Sequence, residues 1–441
     1  MRYKRLAGSG MVVSFLFALL LVQDTRRVVE PVIPKSCTVV TARSSSIDEE
    51  LLDTARIQDA LDKCPAGQAV ELSGKVFLAG PLQLRAGVTL AVDRGTTLYA
   101  SRNPRDYDVS AGSCGVVDKK GHGCKPLISG DHVAGAAVMG EGAIDGRGSV
   151  MLMGQRVSWW DLAQEAKVKN LNQSVPRIMV LSHCDNFTLY RITLRNSPNF
   201  HVAYSGGNGF TAWGVIINSP KAARNTDGID PGNCQNVTIK RCFIHTGDDN
   251  VAIKAGSPGP TSHITIEDNH FYTGHGMSIG SETDGGANAI RVSNLSIDGA
   301  DNGIRIKSNS SRGGPVRDVV YEDVCIKDTK NPIFMDSNYS FMGEARDKLP
   351  SFEGIILRNV RVLSAGKITL DGYDASHRLG ITFDNVFLDV ASKITAVHAA
   401  ITEGPGVNFG ASGDDVKTIK NAGKAVRNTC DGKFVPFPDG N

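Results

Sequence analysis

The sequence predicts an all-β chain wound as a single-domain, right-handed parallel β-helix, a solenoid, with a capping helix at its N-terminal end. Three observations support this fold class. Strand-like segments recur at intervals of roughly 23–29 residues, each alternates apolar and polar residues, and helical periodicity is absent between them. The segments start at Phe187, Phe210, Val237, Ile264, Ile290 and Val319, and a further one starts at Ile381.

Each repeat contains a second short apolar segment after a break at Asn, Asp or Gly, for example Val251–Ile253 or Met277–Ile279. A propeller blade needs about 40 residues, and a leucine-rich repeat would show regular leucines, which this chain lacks. In a parallel β-helix each repeat forms one coil, and equivalent positions stack about 4.8 Å apart. We therefore expect equivalent side chains of successive repeats to be neighbours.

Residues 1–22 have the pattern of an export signal. Three basic residues precede an apolar run over residues 11–22, which is shorter than the about 20 residues that span a bilayer. No clear Ala-x-Ala site follows the run, so an uncleaved N-terminal anchor remains the alternative. We expect an exported protein, secreted or periplasmic, with no integral membrane domain.

The segment Thr54–Lys63 is the one clear amphipathic helix of the sequence. A solenoid must protect its ends, so we place this helix over the N-terminal coil. Coils are expected to begin between Val70 and Leu84 and to finish near Val407. Residues 38–430 are interpreted as one domain.

Two insertions interrupt the repeats. Pro104–Pro126 is irregular and Gly-rich, which predicts a long loop over one face, and Ser149–Val175 is expected to be partly helical. The second insertion contains Trp159 and Trp160. We expect these rings to pack against the solenoid rather than to form an exposed stacking platform.

The chain has nine cysteines, and none lies in a Cys-x-x-Cys pair, so a structural zinc site is not expected. In an exported protein we expect disulfides between Cys37 and Cys64, around the helix, and between Cys114 and Cys124, around the Gly-rich loop. The odd number leaves at least one free thiol. Cys184 lies in an apolar strand pattern and is interpreted as a small core residue.

The formal net charge is only +2 over 441 residues, and basic and acidic residues are mixed along the chain. This balance argues against a nucleic-acid-binding protein. Any attraction for a polyanion must therefore come from a local cluster of cations. We expect a monomer.

Four motifs with chemically active side chains follow one another at intervals of roughly one repeat. Together they supply three carboxylates, one imidazole and two cations. The motifs are Asn225-Thr226-Asp227, Gly247-Asp248-Asp249, Gly274-His275-Gly276 and Arg305-Ile306-Lys307.

Alignment of the motifs by their strand starts predicts that they meet. Asp248 follows Val237 at the same distance along the chain as His275 follows Ile264, which puts these two side chains level on adjacent coils. Asp227 and Arg305 lie further from the starts of their own repeats. We expect extra turn residues in those two coils to absorb the difference, so that all four motifs lie on one face.

The last motif fits a half-buried strand. Arg305 and Lys307 are two residues apart, so both side chains point to the same side, while Ile304 and Ile306 face the core.

This cluster contains what a glycosidase needs to act on an acidic polysaccharide. Carboxylates within about 5 Å of one another cannot all ionise, so one keeps its proton as an acid while another serves as a base. The guanidinium and the ammonium can pair with sugar carboxylates. The imidazole can tune the proton donor through a hydrogen bond.

The four motifs, in this order, resemble the signatures of polygalacturonases, glycoside hydrolase family 28, and the similarity extends over nearly the whole chain after residue 22. The resemblance implies a right-handed parallel β-helix and an inverting hydrolase that cleaves α-1,4-galacturonosyl bonds in polygalacturonate or pectin. It implies no metal and no organic cofactor.

The resemblance also implies a role for each residue at a matching position. Asp248 matches the general acid, Asp227 and Asp249 match the pair that activates water, and His275 matches the assisting histidine. The residues expected to bind substrate are Arg305, Lys307, Asn225 and, on a less distinctive match, Tyr339.

Other interpretations remain open. Each motif alone is an ordinary turn or a solvated strand, and only their joint order favours catalysis. A calcium-dependent pectate lyase, a non-catalytic sugar-binding solenoid, and a hydrolase of a branched pectin such as rhamnogalacturonan or xylogalacturonan are the alternatives. The insertions at 104–126 and 149–175, and residues 277–286, could wall off one end of a groove, and on this ground we favour exo over endo cleavage.

Overall fold

Parallel strands stack coil upon coil along most of the chain in the computed structural model, which describes residues 23–340, 344, 347–426 and 428–438. The predicted signal or anchor over residues 1–22 lies outside these ranges. None of the helices in the described ranges has the length and apolar character needed to cross a bilayer.

The described strands form two long parallel sheets and one small antiparallel pair. The first sheet contains Ser36–Thr41, Ala69–Ser73, Val76–Ala79, Thr89–Val92, Thr97–Ala100, Ala137–Met139, Ala143–Asp145, Phe187–Tyr190, Thr193–Arg195, Asn208–Trp213, Ile216–Asn218, Gln235–Lys240, Phe243–His245, Thr261–Glu267, His270–Phe271, Ala287–Asp298, Pro315–Lys327, Ser351–Val362, Leu379–Leu388, Ala399–Glu403 and Val416–Lys420. The second sheet contains Leu82–Gln83, Ile128–Asp131, Met179–Ser182, Val202–Ser205, Ile229–Gly232, Val251–Ile253, Met277–Gly280, Asn302–Lys307, Asn331–Asp336, Lys367–Asp371 and Lys393–Val397. The antiparallel pair is Val116–Asp118 with Asn172–Ser174.

The predicted repeat is confirmed residue by residue. Phe187 pairs with Phe210, and each predicted start pairs with the next one toward the C-terminus, as far as Val319. The series then continues through Ile355, Ile381 and Ile401. Of these three positions, only Ile381 was predicted as the start of a repeat. These stacked positions are fully or almost fully buried, so they form the ladder of the core.

The predicted helix is present as α1 (Thr54–Lys63), and its Ile57 and Leu61 are fully buried against the first coils. The limits predicted for the coils were too narrow. The first rung is Ser36–Thr41, which precedes α1 and pairs with Ala69–Ser73, and the last is Val416–Lys420. Both end strands carry exposed outer residues, which weakens the hydrophobic pattern that identifies a strand.

Both insertions fold against the solenoid. Pro104–Tyr107 forms one 3-10 turn, and the antiparallel pair joins the two insertions to each other. The second insertion contains α2 (Trp159–Lys169), which Ser158 and Asp161 begin with a reciprocal capping box.

The two tryptophans of α2 pack as expected. Trp159 is fully buried, and the Nε1 of Trp160 donates to the carbonyl of Ser197 at 2.8 Å. Neither ring is therefore a free stacking platform in this structure.

The two expected disulfides, Cys37–Cys64 and Cys114–Cys124, are present. A third one, Cys325–Cys430, ties the C-terminal tail to the solenoid and was not predicted, because its partners lie 105 residues apart. Cys184 is a buried free thiol, as expected, and so are Cys234 and Cys242.

Candidate active site

The four motifs meet at the second sheet. Three of them lie at the edge where its strands begin, and the fourth lies on its outer face. Ile229, Val251, Met277 and Ile304 are stacked partners on four successive coils, and all are buried. Two residues before the first three of them lie Asp227, Asp249 and His275, respectively. Stacking of the strands therefore brings these three residues to one level in adjacent turns.

This register corrects two details of the sequence prediction. His275 is level with Asp249 rather than with Asp248, because the turn from Val237 to Val251 is one residue longer than the next one. Arg305 lies further along its repeat because it stands within the strand Asn302–Lys307, level with Ser278, and the turn from Ile290 to Ile304 is only as long as that from Val237 to Val251. The longer turn before Asp227 is present as expected.

The carboxylate of Asp249 is buried and surrounded by donors. Lys307 Nζ lies 2.8 Å from its Oδ2, Arg305 Nη1 lies 3.0 Å from its Oδ1, and Ser278 Oγ donates to Oδ1 at 2.7 Å. Burial alone would raise the pKa of Asp249, but Lys307 and Arg305, with His275 nearby, hold it well below its usual range. Asp249 is therefore ionised.

Asp248 is the most accessible of the three carboxylates. Its side chain is 20% exposed, against 4% for Asp227 and 2% for Asp249. His275 Nδ1 lies 2.9 Å from its Oδ1, and the amide of Asn225 donates to its Oδ2 at 3.4 Å. Asp248 thus presents an oriented carboxyl group to the cleft.

Asp227 is buried beside a second carboxylate, Asp230, and a lysine, Lys254. The Nζ of Lys254 lies 3.2 Å from Asp230 Oδ2 and 3.8 Å from Asp227 Oδ2. Burial, followed by Asp230 and Asp248, raises the pKa of Asp227 well above its usual range. Burial raises the pKa of Asp230 to about 6, although Lys254 opposes the change. Asp227 therefore holds its proton to a higher pH than Asp249 does.

The two cations predicted to bind substrate already form ion pairs with a carboxylate of the protein. Arg305 and Lys307 are both buried and both bind Asp249, so in this structure the two cations share one carboxylate of the protein. The ring of Tyr339 lies 5.2 Å from the guanidinium of Arg305 and 5.6 Å from the ammonium of Lys307, which places it in the same cluster.

The glycines around His275 are required by close approach. A Cβ on Gly274, which has φ +134°, would lie 2.6 Å from the carbonyl oxygen of Asp248, and one on Gly276 would lie 2.2 Å from that of Asn302. The Gly-His-Gly sequence therefore lets His275 lie between the turns before Val251 and before Ile304.

Sequence reasoning missed Asp230, Lys254, Ser278 and His201. His201 is fully buried, and its backbone N–H donates to the carbonyl of Asp227 at 2.8 Å, which fixes that turn. Aligning the second strands of the repeats would have found two of the others. That alignment puts Ser278 level with Arg305, and Lys254 in one column with Lys307.

Two groups in the described ranges bring three potential metal ligands within 4.8 Å of one another. One is Asp248, Asp249 and His275, where Arg305 and Lys307 already balance the charge of the buried carboxylate, which disfavours a hard cation such as Ca²⁺. The other is the exposed group Asp131, His132 and His183, which lies where the strands of the second sheet end, at the edge opposite to the one that carries Asp227, Asp249 and His275.

Comparison with known proteins gives a consistent result. The family model for glycosyl hydrolases family 28 matches residues 59–406. The endo-polygalacturonase of Pectobacterium carotovorum subsp. carotovorum is 45% identical over 369 residues, which is 83% of this chain and 90% of that protein. The polygalacturonase of Ralstonia nicotianae is 38% identical over 93% of this chain and 92% of its own length.

Solved structures agree. The polygalacturonase from Erwinia carotovora ssp. carotovora superimposes with a TM-score of 0.82 at 43% identity, over 86% of this chain and 100% of that one. The family 28 exopolygalacturonase of Yersinia enterocolitica shares the fold, with a TM-score of 0.68 at 24% identity, over 89% of this chain and 79% of that one.

Proposed function

The chain belongs to glycosyl hydrolases family 28 and is a glycosidase of the polygalacturonase type, and from this premise we propose that it cleaves α-1,4-galacturonosyl bonds inside polygalacturonate chains with inversion of the anomeric carbon. Membership of a hydrolase family argues against the pectate lyase and the non-catalytic solenoid considered from the sequence.

One observation supports this reaction most directly. Three carboxylates lie together, and their surroundings differ: the pKa of Asp249 is lowered, that of Asp227 is raised, and Asp248 is the most exposed and lies beside His275. Carboxylates divided in this way can supply both an acid and a base to one glycosidic bond.

The proposed steps follow from these surroundings. Asp248, which alone of the three reaches well into solvent, protonates the glycosidic oxygen, and His275 holds it in position. Asp249 accepts a proton from the attacking water. The buried Oδ1 of Asp227 has no hydrogen-bond partner among the described residues, so Asp227 can hold that water.

Inversion is supported by the setting of Asp249. The side chain of Asp249 is only 2% exposed, and an ammonium, a guanidinium and a hydroxyl hold its two oxygens, so it is poorly placed to reach the anomeric carbon itself. Water is then the group that attacks the sugar, which gives a single displacement.

The endo mode is supported by the relatives. The Pectobacterium protein, at 45% identity, is an endo-polygalacturonase. The exo mode expected from the insertions is not supported. The second insertion does reach the site, where the amide of Gln173 donates to Asn225 Oδ1 at 3.1 Å, but the named activity of the relatives outweighs this contact.

Export of the protein is supported by its three disulfides, which form and persist in oxidising compartments.

Digestion of polygalacturonate tests the proposal. We expect viscosity to fall well before many reducing ends appear, no ultraviolet-absorbing unsaturated ends, and a first-formed product of inverted anomeric configuration by NMR. D248N is the inactive control. Reducing ends that rise without an early loss of viscosity would overturn the endo mode, and unsaturated ends would overturn hydrolysis itself.

A further inference from the structure

We propose that Lys254 is a second carboxylate-binding residue of this cleft, which holds an acidic sugar unit on the side of the N-terminal coils. This inference rests on the proposed function, because it assumes that the ligand is a chain of galacturonate units. Such a ligand carries one carboxylate on every unit, so a site that binds two units across the cleaved bond meets two negative charges.

The position of Lys254 in the sheet is the first argument. Ile253 is the partner of Ile279, so Lys254 is level with Gly280, and Gly280 is the partner of Lys307. The two lysines therefore stand in one outward column, two coils apart, which is roughly 9–10 Å along the solenoid. Gly280, which lies between them in this column, carries no side chain.

Exposure is the second argument. The side chain of Lys254 is 26% exposed, whereas those of Lys307 and Arg305 are 9% and 6% exposed and both bind Asp249. Of these three cations, Lys254 is the one that solvent reaches. The ring of Phe200 lies 4.9 Å from its ammonium and supports it from one side.

The charge balance around Lys254 is the third argument. Its neighbours Asp227 and Asp230 both have raised pKa values, that of Asp230 about 6, so in mildly acidic solution their negative charge is largely lost. Lys254 itself stays charged. Burial acts to lower its pKa, whereas the ionised forms of Asp230 and Asp227, and also Glu282 and Asp249, act to raise it. Glu282, whose pKa is lowered chiefly by Lys254 and Arg312, is a carboxylate that still acts on Lys254 when Asp227 and Asp230 are protonated. Lys307 and Arg305, by contrast, both lie in direct contact with the ionised Asp249.

Binding to the inactive D248N protein tests the assignment. Titrations compare D248N with D248N/K254M, using hexagalacturonate and its fully methyl-esterified form as the two probes. We expect K254M to weaken binding of the acid hexamer about 10- to 100-fold, since a charge-assisted hydrogen bond is lost, and to leave binding of the ester nearly unchanged. K254R should restore most of the affinity for the acid.

The matched control is K240M. Lys240 is 19% exposed and pairs with Glu267 at 3.0 Å on the other long sheet, so its removal should not change binding of either hexamer. If K254M fails to fold because Asp230 loses its partner, the double variant D230N/K254M removes both charges and takes its place. Equal loss for acid and ester, or loss for neither, would overturn the inference.

This outcome is separate from the proposed function. If wild-type protein released no reducing ends from polygalacturonate, the proposed function would fail whatever the titrations showed. If wild-type protein hydrolysed polygalacturonate and K254M did not discriminate between the hexamers, only the role of Lys254 would fail.

Discussion

His275 is joined to Asp248 twice. Its Nδ1 lies 2.9 Å from Asp248 Oδ1, and its backbone N–H donates to the Asp248 carbonyl oxygen, also at 2.9 Å. The backbone bond fixes the spacing of two adjacent turns, and the side-chain bond sets the direction of the carboxyl group. The proton donor of the proposed reaction is therefore held by the coil that follows it.

Asp248→Asn should abolish turnover while leaving the fold intact. The amide has nearly the same shape but cannot transfer a proton to the leaving oxygen, and proton transfer contributes about 10²- to 10⁴-fold to such reactions. We expect kcat for polygalacturonate to fall by at least 10²-fold with an unchanged melting temperature. Retention of more than a tenth of the wild-type kcat would rule out Asp248 as the general acid.

His275→Ala should lower kcat more than it raises KM. Asp248 would keep its chemistry but lose the group that orients it, so we expect kcat to fall about 10- to 100-fold. His275→Gln, which can still donate to Asp248, should recover part of the rate. A change confined to KM would mean that His275 contacts substrate instead.

The sequence predicted the fold well because the core follows a strict register. Phe210, Val237, Ile264 and Ile290 repeat at nearly constant spacing, and each pairs with the next. The end strands were missed because they have exposed positions on both faces. The disulfide Cys325–Cys430 was missed because nothing local connects its partners.

The sequence predicted the site residues that lie in the four motifs. The structure brings Asp227, Asp248, Asp249 and His275 together, with Arg305 and Lys307 beside them. What could not be read from the motifs is which charges neutralise each other. That depends on the outward positions of neighbouring coils, where Ser278 and Lys254 stand in strands without a recognised motif.

Removal of the disulfide Cys325–Cys430 should cost more stability than removal of Cys114–Cys124. The first closes a loop of 105 residues and the second one of 10, so loop entropy predicts losses of about 4.8 and 2.7 kcal/mol. Urea unfolding of the variants C325A/C430A and C114A/C124A measures both losses. A larger loss for C114A/C124A would contradict the loop argument.

Asp230 should make the protein less stable as the pH rises from about 4 to about 6. Its pKa in the folded protein is about 6, above the ordinary 3.8, so the folded state binds the proton more tightly than the unfolded state does. The contribution of Asp230 to the free energy of unfolding therefore falls as the pH rises from about 4 to about 6, by at most about 3 kcal/mol. Above about pH 6 this contribution changes no further. Asp227 acts in the same direction.

Melting temperatures of wild type and D230N between pH 4 and pH 7 provide the measurement. D230N should show a flatter decline, because the amide cannot titrate, and D227N/D230N should be flatter still. D298N is the matched control, since Asp298 pairs with Lys327 at 3.0 Å on the surface and its loss should leave the wild-type slope in place. If D230N melted with the full wild-type slope, the burial of Asp230 beside Lys254 would not govern its protonation, and the unequal states assigned to the carboxylates of this cleft would lose their physical basis.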